Sequence, residues 1–189
     1  MIVVLLGPPG AGKGTQANII CKSKDLFHFS TGDILRNEVK KSSEIGKKIE
    51  KIINAGQLVG DDIIIQIVEK IISEKIVNNK GILFDGFPRN LDQAKAFEDL
   101  LKKKNKDIDY VIHLIIDKNE IIKRILKRQS EENRDDDNVD ILKSRIDVYL
   151  NETSPLIDLY KKKNILKPID GMQSVEKVSQ NIEVELNWN

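Results

Sequence analysis

The sequence predicts an α/β fold built on a five-stranded parallel sheet with helices on both faces. Two observations lead there. Short apolar runs alternate along the chain with longer helix-type segments, the signature of strands joined by helical crossovers. The first run, Ile2-Val3-Val4-Leu5-Leu6, passes directly into the glycine-rich turn Gly7-Pro8-Pro9-Gly10-Ala11-Gly12-Lys13-Gly14-Thr15 and then into helix-forming sequence at Gln16. No repeat and no long linker interrupts the pattern, so one domain over residues 1–189 is expected.

The elements follow in order. Leu26-Phe27-His28-Phe29 reads as a second strand. Ser30-Thr31-Gly32-Asp33 supplies cap residues for a helix near 32–41. A helix over about 43–54 stops at Ala55-Gly56, and Gln57-Leu58-Val59-Gly60 is a loop. Asp61-Asp62 opens an apolar helix to about Val77. Ile82-Leu83-Phe84-Asp85 is a buried strand closed by an acid, and a helix covers 90–104. Tyr110 to Ile116 is the next strand, then a basic helix spans about 118–129. The polar stretch Gln129 to Asp137 interrupts the chain, and a long helix is expected to run from there to about Lys162. Ile165 to Ile169 is the last strand, and a helix from about Ser174 closes the chain.

Composition narrows the function. At 189 residues and 40% hydrophobic, the chain can bury one good core. A formal net charge of +1 gives no drive toward nucleic acid or anionic membrane. The lone Cys21 excludes an internal disulfide and a cysteine-built zinc site, so no zinc is expected. No stretch is apolar enough for a membrane span. Met1 leads straight into the first strand, so a chain without a leader and a cytoplasmic location are expected.

The chemistry centres on the glycine-rich turn. Strand, glycine turn, lysine and helix form a phosphate cradle: glycines turn backbone N–H groups inward, the helix N-terminus adds partial positive charge, and Lys13 reaches the outer phosphates. Gly14 intervenes between Lys13 and Thr15, where the strict motif has Ser or Thr straight after the lysine. That points away from GTPases and motors. Asp85, closing a strand beside such a loop, suits the acid that holds Mg²⁺, often through water. The chain has 25 lysines and six arginines: Arg36, Arg89, Arg124, Arg128, Arg134 and Arg145. Arginine's planar fork binds phosphate bidentately and lysine cannot reproduce it, so these six are the first candidates for anion recognition.

Three segments, Gly7-x-Pro9-Gly10-x-Gly12-Lys13-Gly14-Thr15, Ser30-Thr31-Gly32-Asp33-x-Leu35-Arg36 and Asp85-Gly86-Phe87-Pro88-Arg89, together resemble the nucleoside monophosphate kinases, the adenylate kinase family most closely. The resemblance runs nearly end to end. It implies a P-loop NTPase three-layer sandwich carrying a mobile NMP-binding segment (about 30–60) and a short lid (about 129–136). The implied activity is reversible transfer of the terminal phosphoryl group of Mg·ATP to AMP, giving two ADP. Gly10, Ala11, Gly12, Lys13, Gly14 and Thr15 would hold the ATP phosphates, with Gln173 in the loop near the ATP adenine. Thr31, Arg36, Gln57, Leu58, Val59, Gly86, Phe87, Pro88, Arg89 and Gln93 would form the AMP site, Gln93 on the adenine edge. Arg124 and Arg128 match arginines near the transferring phosphate, and Arg134 and Arg145 match the pair after the lid. Asp136 and Asp137 match lid-flanking acids. The short-lid resemblance implies a monomer.

No histidine or cysteine is needed for such chemistry, and His28, His113 and Cys21 read as packed residues. Thr31 is expected both to cap its helix and to meet AMP. The nearest alternative is a UMP/CMP kinase of the same fold, in which Thr31 is usually alanine and Gln93 usually asparagine. An alternative of another class is a regulatory P-loop nucleotide-binding module. It would want Ser or Thr directly after Lys13 and a guanine motif that Asn105-Lys106-Asp107-Ile108 does not match.

Overall fold

The computed structural model describes residues 1–41, 44–75, 81–132 and 139–186. Five strands make one all-parallel sheet: β1 (Ile2–Leu6), β2 (Phe27–Ser30), β3 (Ile82–Asp85), β4 (Tyr110–Ile115) and β5 (Leu166–Asp170), ordered β2-β3-β1-β4-β5. The helices between them are α1 (Lys13–Lys24), α2 (Thr31–Lys40), α3 (Glu44–Asn54), α4 (Asp61–Lys75), α5 (Leu91–Lys102), α6 (Lys118–Glu132), α7 (Val139–Val148), α8 (Pro155–Lys162) and α9 (Val175–Glu185). The expected α/β architecture is present.

Every residue of β1 is buried, because helices cover both faces of the strand. Alternation along β1 sends side chains to two separate cores. Ile2, Val4 and Leu6 join a large cluster with Phe29, Phe84, Phe87, Phe97 and the inner face of α4. Val3 and Leu5 join Ala17, Ile20, Ile112, Leu114 and Ile182 on the other side. The first cluster contains a stack of four phenylalanines, with Phe84 and Phe97 at 4.7 Å and Phe87 and Phe97 at 5.1 Å between ring centroids, tilted or edge to face.

Because the strands are parallel, their carboxyl ends lie on one edge. Register places Asp85 beside both Leu5 and Ser30, and His113 beside Leu6. Ligands of open parallel sheets gather at that edge, where the order of strands reverses on either side of β1.

Several expected boundaries are corrected. The second strand runs one residue later, through Ser30, and α2 begins at Thr31. Ser30, not Thr31, caps α2: its Oγ accepts the Asp33 backbone N–H at 3.3 Å. Helix α6 continues through Gln129-Ser130-Glu131-Glu132, so the expected polar interruption does not begin at Gln129. Asp135, Asp136, Asp137 and Arg134 lie outside the described residues.

The expected long helix is also broken. Between α7 and α8 lies a π-helical turn, Tyr149–Thr153. Pro155 opens α8 without an N–H of its own. Ahead of it, the Ser154 N–H bonds back to the Tyr149 carbonyl at 2.8 Å. The Ser154 hydroxyl donates to the Leu150 carbonyl at 2.6 Å. The widened turn swings Tyr149 and Thr153 toward the sheet edge, where both line a cavity.

Candidate active site

The turn between β1 and α1 is shaped by its glycines. Gly10 and Gly12 sit at φ 79° and 91°, a left-handed region that a side chain disfavours. A Cβ at Gly10 would also press on Ile125 at 3.2 Å. Helix α1 starts at Lys13 with no side chain bonded to its N-terminus and no acid in its first turn. Its leading N–H groups and dipole are therefore left for an external anion.

Lys13 bends back over the loop, its Nζ donating to the Gly7 carbonyl at 2.7 Å and the Pro8 carbonyl at 3.0 Å. Burial pushes this ammonium down to about 8, opposed by the Asp85 carboxylate and reinforced by the charges of Arg89, Arg145 and Arg128. One carboxylate and three guanidiniums thus act on one buried lysine. Lys13, Arg89 and Arg145 share the lining of one open cavity with Gly7, Gly86 and Leu58.

Arg89 is held at three points. Its Nε donates to the Gly86 carbonyl at 2.8 Å, its backbone N–H to Gln93 Oε1 at 2.8 Å, and its carbonyl accepts the Thr153 hydroxyl at 2.7 Å. Arg124 is held by Glu120 at 2.9 Å and by the Gly171 carbonyl at 2.9 Å, which ties α6 to the turn after β5. Arg36 pairs with Asp33 at 2.6 Å on α2. Arg128 lies close enough to Lys13 for its charge to count.

A second, smaller cavity adjoins the first. Thr31, Leu35, Leu58, Val59, Ile64, Gly86, Arg89 and Gln93 line it. Its walls are mostly apolar, with the Gln93 amide and the Thr31 hydroxyl as polar points, which suits a flat heterocycle with a few hydrogen-bonding edges. Thr31 Oγ1 is buried and has no hydrogen-bond partner among the described residues.

The other predicted site residues make contacts of their own. Phe87 is fully buried in the aromatic stack, joined to Pro88 by a cis peptide bond. Pro88 lines the larger cavity. Gln57 is exposed and donates to Ser144 Oγ at 3.2 Å. Gln173, also exposed, donates to Asp170 at 3.0 Å and accepts from Asn181 at 3.1 Å.

The histidines are not simply packed. His28 Nδ1 lies 3.2 Å from Asn18 Oδ1, and its Nε2 is 3.6 Å from Asp85 Oδ2. His113 Nε2 faces the Tyr149 hydroxyl at 3.4 Å. Burial lowers the His113 pKa, and the Lys13 charge adds to the effect. Cys21 is buried and its thiol is pushed up to about 12, so no thiolate nucleophile forms there.

Sequence reasoning missed Thr153, Tyr149, Asp61 and Ser144. Pro155 inside an expected helix was the available signal for the first two, since a proline ends or distorts the helix before it. Asp61 and Ser144 gave no signal, because their importance comes from partners 29 to 89 residues away.

The fold and the cavity define a class: a phosphotransferase of the nucleoside monophosphate kinase type, built on a phosphate loop. The adenylate kinase family model matches residues 5–165. The chain is 47% identical over 185 residues to an adenylate kinase of Prochlorococcus marinus, with 98% of each chain covered. It is 45% identical over 178 residues to an adenylate kinase of Azobacteroides pseudotrichonymphae, covering 94% of this chain and 93% of that one. It is 40% identical over 185 residues to an adenylate kinase of Parabacteroides distasonis, with 98% and 97% covered. The chain belongs to the adenylate kinase family.

Proposed function

We propose that this enzyme transfers the terminal phosphoryl group of Mg·ATP to AMP, reversibly, giving two ADP. The observation that carries the reading is the convergence of Lys13, Arg89 and Arg145 on one cavity above the sheet, next to a smaller, largely apolar cavity edged by Gln93. In this reading the backbone from Gly10 to Thr15 and Lys13 grip the ATP phosphates. Arg124, Arg128 and Gln173 support the donor nucleotide. Arg36 and Arg89 hold the AMP phosphate. Thr31, Leu58, Val59 and Gln93 surround the adenine, with Gly86 and Pro88 as backbone walls. Arg145 adds its charge to the same cavity, and Arg134 takes the role that the family resemblance implies for it.

The AMP phosphate then attacks the γ-phosphoryl group in line. Negative charge spreads over the equatorial oxygens, and the arginines and Lys13 stabilise it without reorganising. Asp85 fits a role in holding Mg²⁺: its carboxylate lies 3.5 Å from where a Cβ on Gly14 would stand, at the start of α1. Among the described residues no group of three His, Cys, Asp or Glu is placed to hold a metal. Mg²⁺ would neutralise charge between the β- and γ-phosphates.

Residues about 30–60 and the short lid about 129–136 would close over the substrates and exclude water. No helix among the described residues is long and apolar enough to cross a membrane. A monomer at work in the cytoplasm fits this small nucleotide chemistry.

An initial-rate comparison of AMP, dAMP, CMP, UMP and GMP with Mg·ATP tests the reading. Strong preference for AMP supports it. Preference for CMP or UMP would make the enzyme a pyrimidine nucleotide kinase of the same fold.

A further inference from the structure

The base-reading amide of Gln93 sits in a chain of hydrogen bonds whose polarity is fixed at both ends. At one end the Gln93 backbone N–H donates to Asn90 Oδ1 at 2.8 Å. A backbone N–H can only donate, so Asn90 must present its oxygen there and turn its Nδ2 the other way. That Nδ2 donates to Asp61 Oδ1 and Oδ2 at 3.1 and 3.2 Å. At the other end the Arg89 backbone N–H donates to Gln93 Oε1 at 2.8 Å. Gln93 must therefore turn its Nε2 away from Arg89, and that Nε2 donates to Asp61 Oδ1 at 2.7 Å. Asp61 opens α4, half-buried, and accepts from both amides at once. Gln93 itself is 1% exposed, so it cannot trade these partners for solvent.

Each atom of the Gln93 amide keeps one further valence. Nε2 has a second hydrogen, and Oε1 has a second lone pair. The order is fixed: donor on the Asp61 side, acceptor on the Arg89 side. A 6-aminopurine offers the complement, since its ring N1 accepts and its 6-amino group donates. A 6-oxopurine offers the reverse, a protonated N1 and a carbonyl oxygen. Reading the latter would need Gln93 to flip, setting Oε1 against the Asp61 carboxylate and Nε2 against the Arg89 N–H. Both contacts would then repel.

We propose that Asp61 is a specificity-determining positioning residue: it locks the Gln93 amide in the orientation that accepts 6-aminopurine monophosphates and rejects 6-oxopurine ones. The proposal rests on the assignment of Gln93 to the nucleobase of the acceptor. Asp61 lines neither cavity and acts through Gln93, directly and by way of Asn90. A site that hydrogen-bonds a specific edge discriminates strongly because the wrong edge leaves its buried polar groups unpaired. Replacing Asp61 by Asn lets position 61 offer either a donor or an acceptor. A flipped Gln93 then loses one good contact instead of two, worth about tenfold in discrimination.

The test measures kcat/KM for AMP and for IMP with Mg·ATP in the wild type, Asp61→Asn, Asp61→Ala and Gln93→Leu. The AMP-to-IMP ratio is the readout, because a merely structural defect lowers both substrates alike. Melting curves confirm that each variant folds. The proposal predicts that the ratio falls about tenfold or more in the Asp61 variants, and that Gln93→Leu also collapses it. If Gln93→Leu collapses the ratio while both Asp61 variants keep it, the Asp61 lock is wrong and the base assignment stands. If Gln93→Leu leaves the ratio and the KM for AMP unchanged, the assignment of Gln93 fails and the lock falls with it.

Discussion

Thr153 Oγ1 donates to the carbonyl of Arg89 at 2.7 Å, joining residues 64 apart in the chain. The bond fastens the π-helical turn to the segment that carries Arg89, one of the arginines lining the cavity. Thr153 is 8% exposed, so water cannot replace the hydroxyl. Thr153→Val keeps the shape and leaves the Arg89 carbonyl without this donor. It is expected to cost about 1–3 kcal/mol of stability and to lower kcat/KM about tenfold through a displaced Arg89. Thr153→Ser should retain most of both. Urea unfolding and initial rates on the two variants check this.

Arg89 supplies a planar fork where Lys supplies a point charge. Arg89→Lys is expected to keep the fold and lose most activity, about a hundredfold in kcat/KM. The Gly86 anchor on Nε also disappears with the guanidinium. Near-normal turnover in this variant would remove Arg89 from the reaction.

Gly56 holds the turn after α3 against α7. Its φ is 71°, and a Cβ there would meet Ser144 Cβ at 2.9 Å and the Ile141 carbonyl at 3.1 Å. Ser144 Oγ in turn donates to the Ala55 carbonyl at 2.9 Å. Gly56→Ala is expected to destabilise by about 1–3 kcal/mol, and Ser144→Ala by about 1 kcal/mol. Because both changes loosen the same docking contact, the double variant should lose less than the two losses added. Equilibrium unfolding of all three checks the ordering.

Lys13 makes binding depend on pH. Its pKa in the folded protein is about 8, against an ordinary 10.5. Between these values the unfolded chain binds more protons than the folded one, so this group's contribution to stability rises with pH across the window. Below about 8 it is a constant penalty. Nucleotide phosphates favour the charged ammonium and raise its pKa again. Binding ATP near pH 8.5 should therefore take up a fraction of a proton, and the uptake should fade toward about pH 7. Calorimetry in two buffers of different ionisation enthalpy measures it. Lys13→Ala should fold, transfer no phosphoryl group and lose most of this uptake.

The phosphate loop, the five strands and the aspartate ending β3 were legible in the sequence because each is a local pattern. Apolar runs mark strands, glycines mark the turn, and Lys13 follows at a fixed spacing. Side-chain destinations were less legible. Gln57 reads as a binding-loop residue, yet its amide reaches Ser144, a partner 87 residues on. Phe87 reads as part of a binding motif, yet its ring completes an aromatic stack drawn from β2, β3 and α5. His28 reads as a packed strand residue, but it lies on a strand whose neighbour ends in Asp85, so its ring faces a carboxylate. The break at Tyr149–Thr153 depends on how Ser154 and Pro155 share their hydrogen bonds, which periodicity does not reveal. Arg134 was identified by its resemblance to the family and lies outside the described residues.

Direct transfer between two nucleotides held by one cationic cavity is the central claim. The most direct measurement mixes equal amounts of Mg·ATP and AMP with the enzyme and follows ATP, AMP, ADP and inorganic phosphate by ³¹P NMR. Direct transfer predicts that each ATP consumed removes one AMP and yields two ADP, with no phosphate released. ATP loss that yields one ADP and one inorganic phosphate while AMP stays constant would contradict it.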